Sequence, residues 1–187
     1  MKKVLIVVAV VAVIVVGYIW STYNRLITTN EAVTNQWAQV ETQYQRRFDL
    51  IPNLVESVKG VMKQEQKVFG DLADARAHYT GATDANQKAE AATQVEGSLS
   101  RLIAVMENYP QLKSADNVQT LMAQLEGTEN RVSVERKRYN DVVQSFNVMI
   151  KVFPTNLIAK QLGYSTKNYF EAEAGAANAP KVDLQIK

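Results

Sequence analysis

The sequence predicts an all-α protein in which an N-terminal transmembrane helix continues into an antiparallel four-helix bundle, with a short C-terminal extended tail. Three observations lead to this prediction: an uncharged apolar stretch near the N-terminus, long apolar stripes at helical spacing, and short connections between those stripes. The corresponding units are an anchor over residues 1–23, a bundle over residues 24–170, and a linker and tail over residues 171–187.

The apolar stretch, residues 4–20, contains no charged side chain. A helix of roughly 17–25 apolar residues crosses a bilayer, and it satisfies its own backbone polar groups where water is absent. Aromatic residues with polar tips suit the membrane–water interface at the end of such a helix. We therefore predict a bilayer anchor that includes Val4, Leu5, Ile6, Ile14, Val16, Trp20 and Tyr23.

A cleaved signal peptide would share the basic start and the apolar core of this segment. However, residues 17–21, which read GYIWS, do not form the small-x-small pattern of a cleavage site, so a retained anchor is favoured. Lys2 and Lys3 precede the anchor, whereas Arg25 is the one basic residue among the twenty that follow it. The positive-inside rule then predicts a cytoplasmic N-terminus and a helical domain on the other side of the membrane.

The composition limits the chemistry that this chain can perform. The net charge of +2 is not the large basic excess typical of a nucleic-acid-binding domain. The absence of cysteine excludes thiolate metal sites and thiol catalysis. His78 is the only histidine, and its place near a helix end favours a surface role. No phosphate-binding glycine loop is present. We expect no catalytic residue, no metal or cofactor site, and no nucleic-acid partner.

The first bundle helix should continue directly from the anchor, because no Gly or Pro occurs between Tyr23 and Pro52. We predict a rod of about 40 residues, or ~60 Å. Proline disfavours helix in the residue before it, so a break is expected at residues 49–52, with Asp49 capping a second helix. The apolar stripe of the rod comprises Leu26, Val33, Trp37, Val40, Tyr44 and Phe48.

Two adjacent arginines, Arg46 and Arg47, lie one turn before this predicted break. They could complement the C-terminus of the first helix, or they could form a buried link to Glu129 and Asn130 on the fourth helix. Because the two arginines lie just before the predicted break, the sequence favours the helix-end interpretation. The predicted interhelix junction comprises Arg46, Arg47, Asp49, Pro52, Asn53, Glu129 and Asn130.

The second and third helices are predicted from later stripes. The second should end near Tyr79, and Gly60 within it suggests close packing at that turn. Thr83 or Asp84 should cap the third helix, which should end at residues 107–110 before a proline.

The fourth helix should start at a cap formed by Ser114 or Asp116 and should end at residues 153–154. Gly127 suggests a kink within it. A short helical turn over residues 155–162 should stop at Gly163. We expect the aromatic residues that follow to pack on the bundle, namely Tyr164, Tyr169 and Phe170.

The C-terminal tail consists of two parts. Residues 171–181 are rich in Ala, Gly and Asn and are typical of a flexible linker. Residues 182–186 alternate apolar and polar side chains, which is the period of a strand. A single strand needs a partner edge, so the tail predicts strand addition through Val182, Leu184 and Ile186.

Several ordered motifs make the chain resemble the LemA family of bacterial membrane proteins. The most specific is RRFDLIPNLV at residues 46–55. Gly60 followed by Val61 departs from the family pattern, in which an aromatic residue is expected. The supporting motifs are YNRL at 23–26, Trp37, ENYPQLK at 107–113, TENR at 128–131, RYN at 138–140, FPTN at 153–156 and PKVD at 180–183.

The resemblance implies one N-terminal anchor in the bacterial cytoplasmic membrane, a helical bundle and a role in organising membranes. It supplies no catalytic residue. Two functions remain open at this point. The chain is a non-enzymatic scaffold that self-associates at the membrane, with the bilayer and other copies as partners, or it is an adaptor for another membrane complex such as a protease or sensor.

Overall fold

The computed structural model describes residues 1–170, except for the side chain of Lys113, and this range is helical without a strand. The observed all-α architecture confirms the predicted fold class. The predicted linker and strand-like tail, residues 171–187, lie outside the described residues. The helices are α1 (Lys2–Lys59), α2 (Gln66–Gly81), α3 (Ala85–Met106), α4 (Pro110–Lys113), α5 (Asp116–Lys151) and α6 (Thr155–Gln161).

Helix α1 joins the apolar N-terminus to the bundle without interruption over 58 residues. At about 1.5 Å per residue it extends roughly 87 Å. Its apolar side chains before residue 21 are exposed. The buried apolar side chains of α1 begin at Leu26 and continue to Val58. Within residues 1–170, α1 is the one helix long and apolar enough to cross a membrane. The predicted continuous rod is therefore observed.

The predicted break at residues 49–52 is wrong, because α1 continues through Pro52. Pro52 is exposed, while Ile51 and Leu54 on either side of it are buried. A proline inside a helix costs about 3 kcal/mol, and each buried Leu or Ile contributes about 1.5–3 kcal/mol. The burial of Ile51 and Leu54 thus outweighs the tendency of Pro52 to break the helix. Asp49 does not cap a helix; its carboxylate accepts a hydrogen bond from Gln45 at 2.7 Å.

The chain reverses instead after Gly60, which forms the C-cap of α1. A Cβ atom at Gly60 would meet nothing within 4 Å, so the expected close packing there is also wrong. The second helix consequently starts at Gln66 and ends at Gly81, slightly beyond the predicted end.

The four long helices form two antiparallel pairs around one core. Helix α5 packs along α1, and α3 packs along α2. Asp84 caps α3 as predicted, since its Oδ1 accepts the backbone N–H groups of Asn86 and Gln87 at 2.9 Å each. Helix α5 has Ala115 at its N-cap without a side-chain hydrogen bond, so neither Ser114 nor Asp116 caps it.

The C-terminal part of the described chain lies against the α1–α5 pair. Helix α6 packs on both α1 and α5 and buries Ala159. Tyr164 and Phe170 pack against the core as predicted, but Tyr169 is exposed, contrary to the prediction. The side chains of the core that are completely buried include Leu26, Val40, Tyr44, Leu54, Val58, Met62, Val95, Leu99, Leu102, Val132, Val143 and Phe146.

Two glycines should respond in opposite ways to substitution by alanine. A Cβ atom would meet nothing within 4 Å at either Gly127 or Gly163, but only Gly163 has a positive φ, of 75°. Gly127→Ala should raise the free energy of unfolding by about 0.5–1 kcal/mol, because alanine has the higher helix propensity. Gly163→Ala should lower it by about 1 kcal/mol, because an L side chain is strained there. Chemical unfolding in detergent measures both changes. If the two substitutions changed the free energy of unfolding in the same direction, this account would be contradicted.

Candidate functional site at the helix junction

Arg47 links α1 to α5 inside the bundle. Its Nη1 donates a hydrogen bond to the carbonyl of Leu125 at 2.7 Å, and its Nη2 lies 2.8 Å from Glu129 Oε2. The Arg47 side chain is 8% exposed and that of Glu129 is 46% exposed. The helix-end interpretation of Arg46 and Arg47 is therefore wrong, because α1 continues for three more turns beyond them. The structure instead shows the alternative, in which the buried Arg47 side chain contacts Glu129 on α5.

The other residues assigned to the junction lie around this link without joining it. Arg46, Asp49, Pro52, Asn53 and Asn130 are exposed. A groove between α3 and α5 opens beside the link and is lined by Ile103, Met122, Glu126 and Asn130 together with Arg47 and Glu129. Of the predicted junction residues, Arg47 and Glu129 are thus the two that connect α1 to α5.

A second polar connection involves three helices and was missed from the sequence. Arg136 on α5 donates from Nη2 to Glu96 Oε2 on α3 at 2.7 Å, and from Nε to the Tyr44 hydroxyl on α1 at 2.7 Å. Its guanidinium carbon also lies 5.3 Å from the ring centroids of Tyr44 and Phe170, which is a cation–π geometry. Arg136 therefore connects both helix pairs at one point.

Burial controls the protonation of the groups around Arg136. Burial raises the pKa of the Glu96 carboxyl above its usual value, and the Arg136 charge beside it offsets only part of this effect. Burial also raises the pKa of the Tyr44 hydroxyl, and it raises the pKa of Tyr79 to about 12. Glu96 is 7% exposed, and its Oε1 has no hydrogen-bond partner in the described part of the chain. The ionised carboxylate is thus incompletely compensated.

A third set of contacts fastens residues 164–170 to α5. Asn147 donates to the carbonyl of Lys167 and accepts its N–H, both at 2.8 Å. Asn140 makes the same pair of bonds to the backbone of Phe170 at 2.9 Å each. The seven-residue spacing of the two asparagines places them on one face of α5, two turns apart. We call this pair the asparagine clasp, and its only trace in the sequence is that spacing.

The clasp closes an aromatic cluster over the α1–α5 pair. Phe170 stacks on Trp37 with ring centroids 5.6 Å apart, and it contacts Tyr139 edge-on at 5.3 Å. The polar connections and this cluster together fix the register of α1, α3 and α5 relative to one another.

The remaining candidates for chemistry are dispersed over the surface. His78 is exposed, and its Nδ1 lies 3.4 Å from Gln94 Oε1. Within residues 1–170, no group of three or more His, Asp or Glu side chains is placed to hold a metal ion. Three charged pairs with buried or partly buried side chains connect different helices: Arg47 with Glu129, Arg136 with Glu96, and Lys88 with Glu41. The arrangement can hold helices together.

Comparisons with known proteins identify relatives along most of the chain. A profile described as the LemA family matches residues 36–184, which includes every residue of these polar connections. Magnetosome protein MamQ 1 and Magnetosome protein MamQ 2 of Paramagnetospirillum magneticum are each 25% identical over 190 residues. Magnetosome protein MamQ of Magnetospirillum gryphiswaldense has the same identity. Each alignment covers 88% of this chain and 70% of the relative.

The adjacent arginines provide a matched test of the α1–α5 link. Arg47→Ala should lower the free energy of unfolding by about 2 kcal/mol, because it removes the charged hydrogen bonds to Leu125 and Glu129 and the packing of the buried side chain. Arg46→Ala, at an exposed position on the same turn, should change it by less than about 0.5 kcal/mol. Chemical unfolding in detergent, followed by circular dichroism, gives both values. Similar effects of the two substitutions would show that the link is unimportant.

The raised pKa of Glu96 predicts a specific pH dependence of stability. Folding favours the protonated carboxyl, so this contribution is complete below the unfolded-state pKa and is lost as the pH rises through the folded-state pKa. Relative to Glu96→Gln, the unchanged protein should therefore become less stable as the pH rises from about 4. Unfolding curves across the pH range test this, with Glu90→Gln on the exposed face of α3 as the control for net charge. If the unchanged protein became more stable relative to Glu96→Gln as the pH rose, the prediction would be contradicted.

Proposed function

Because the chain belongs to the LemA family, we propose that it is a non-enzymatic, membrane-anchored scaffold that self-associates at the membrane. The observation that carries this proposal is the unbroken course of α1 from an exposed apolar segment into the buried core. A continuous helix transmits position and orientation from the bilayer to the bundle without a flexible linker. This is the mechanical property that a scaffold needs.

The anchor is the best supported part of the proposal. An N-terminal apolar helix, together with relatives that are magnetosome proteins, fits a membrane-anchored protein. We further propose a single pass through the bacterial cytoplasmic membrane, with the N-terminus in the cytoplasm and the bundle outside. The charge asymmetry around residues 4–20 supports this orientation.

The use of charged side chains supports a non-enzymatic role. Arg47, Arg136 and Glu96 are engaged in contacts between helices, where they stabilise one arrangement of the bundle. A catalytic group would instead need access to a bound molecule and a suitable pKa at that place. The described part of the chain presents its titratable core residues to other helices.

Self-association would bring copies together in the plane of the membrane. The alternating residues Val182, Leu184 and Ile186 are proposed to pair as a strand with the same segment of a neighbouring copy. Many anchors joined in this way would cluster on the bilayer surface and organise it.

Crosslinking of the full chain in its native membrane tests this proposal. A photo-crosslinking residue at exposed Val61 or Val134 should give a ladder of self-adducts, and the buried position Val95 should give none. Deletion of residues 180–187 should shorten the ladder. One dominant adduct with a different protein would contradict the scaffold and identify an adaptor. Recovery of a soluble chain without its first two dozen residues would refute the anchor.

A further inference from the structure

The far end of α5 returns to the segment of α1 that is predicted to lie in the bilayer. Since the two helices are antiparallel, Met149 Sδ lies 4.0 Å from the Thr29 hydroxyl, close to the point where the bundle begins. One turn beyond the end of α5, the Thr155 hydroxyl lies 3.3 Å from the hydroxyl of Tyr18. Tyr18 belongs to the uncharged stretch of residues 4–20. We call residues 151–162, which run from the last residue of α5 to the residue after α6, the α5–α6 corner.

The dimensions of a bilayer place this corner at its surface. A hydrocarbon core about 30 Å thick accommodates about 20 helical residues at 1.5 Å each. If α1 enters the core at Val4, it leaves near Tyr23. Tyr18 then lies about 7 Å inside that boundary, so its neighbour Thr155 must lie within the outer part of the same leaflet.

The side chains that the corner exposes are those expected of a surface in contact with lipid. Phe153 is 74% exposed and Leu157 is 60% exposed, and Val152 and Leu162 are also exposed. On the opposite side of α6, Ala159 is buried against the bundle. Large apolar side chains that cluster at one place on a protein surface indicate a membrane or partner contact.

The charges near the corner select the membrane rather than a neutral apolar partner. Residues 151–170 contain Lys151, Lys160 and Lys167 and no acidic residue. Basic residues beside an apolar face favour contact with anionic lipid headgroups. Lysine side chains can also extend toward the headgroups while their aliphatic part contacts the apolar region.

We propose that the α5–α6 corner is a second membrane-contacting element, in which Phe153 and Leu157 insert among lipids and Lys151 and Lys160 bind their phosphates. This inference rests on the membrane anchor of the proposed function and adds a contact to it. A single helix leaves the bundle free to rotate about the axis of that helix. A second contact beside α1 would fix that rotation and present one face of the bundle to neighbouring copies.

The absence of native cysteine allows each position to be probed with one label. In nanodiscs that hold one full-length chain each, a nitroxide is attached to Phe153→Cys or to Leu157→Cys. Its collision rates with lipid-soluble oxygen and with a water-soluble nickel chelate are compared. Val11→Cys in the anchor and Val134→Cys on α5 are exposed control positions in the two environments.

The labels at residues 153 and 157 should give an oxygen-to-nickel ratio several-fold above that of residue 134, approaching that of residue 11. A ratio equal to that at residue 134 would overturn the proposal. Protection from both reagents would also overturn it, because that pattern indicates a protein contact. If residue 11 itself behaves like residue 134, the anchor is refuted and the proposed function fails as well. Circular dichroism of each labelled chain verifies that the bundle remains folded.

Discussion

The continuity of backbone hydrogen bonds along α1 is the constraint on which the rest of the structure depends. Within the bilayer, a helix must satisfy its own N–H and C=O groups, because neither water nor another chain segment can do so. The same ladder of bonds continues past Tyr23, and burial of the apolar face begins at Leu26. The position of the bundle is therefore determined by the position of the anchor.

The contacts between helices build on this axis. Helix α5 packs back along α1, and the Arg47–Glu129 link fixes their register near one end. Arg136 on α5 connects α3 to this pair, because it donates hydrogen bonds to Glu96 on α3 and to Tyr44 on α1. Buried ion pairs are weak contributors to net stability, but the loss of one partner is costly, so they penalise alternative arrangements. We infer that they specify one packing here, while the apolar core supplies most of the stabilisation.

The sequence predicted those features that local chemistry determines. The apolar stripe of α1 and the Asp84 cap of α3 follow from helical spacing and from the demand for acceptors at a helix start. The break at Pro52 was predicted wrongly, because a local preference was weighed without the burial of Ile51 and Leu54. That error also led to the wrong interpretation of Arg47, since an arginine at a helix end and one inside a helix look identical in sequence.

The Arg136 connection and the asparagine clasp could not be predicted, because each joins residues at least 20 positions apart whose proximity depends on the packing of whole helices. The central claim, that one rigid helix leads from the bilayer into the bundle, is tested most directly by amide hydrogen exchange of the full chain in nanodiscs. The account predicts that residues 21–30 are protected to a degree similar to residues 44–51 in the core. Rapid exchange confined to residues 21–30 would reveal a hinge at the membrane surface and would contradict it.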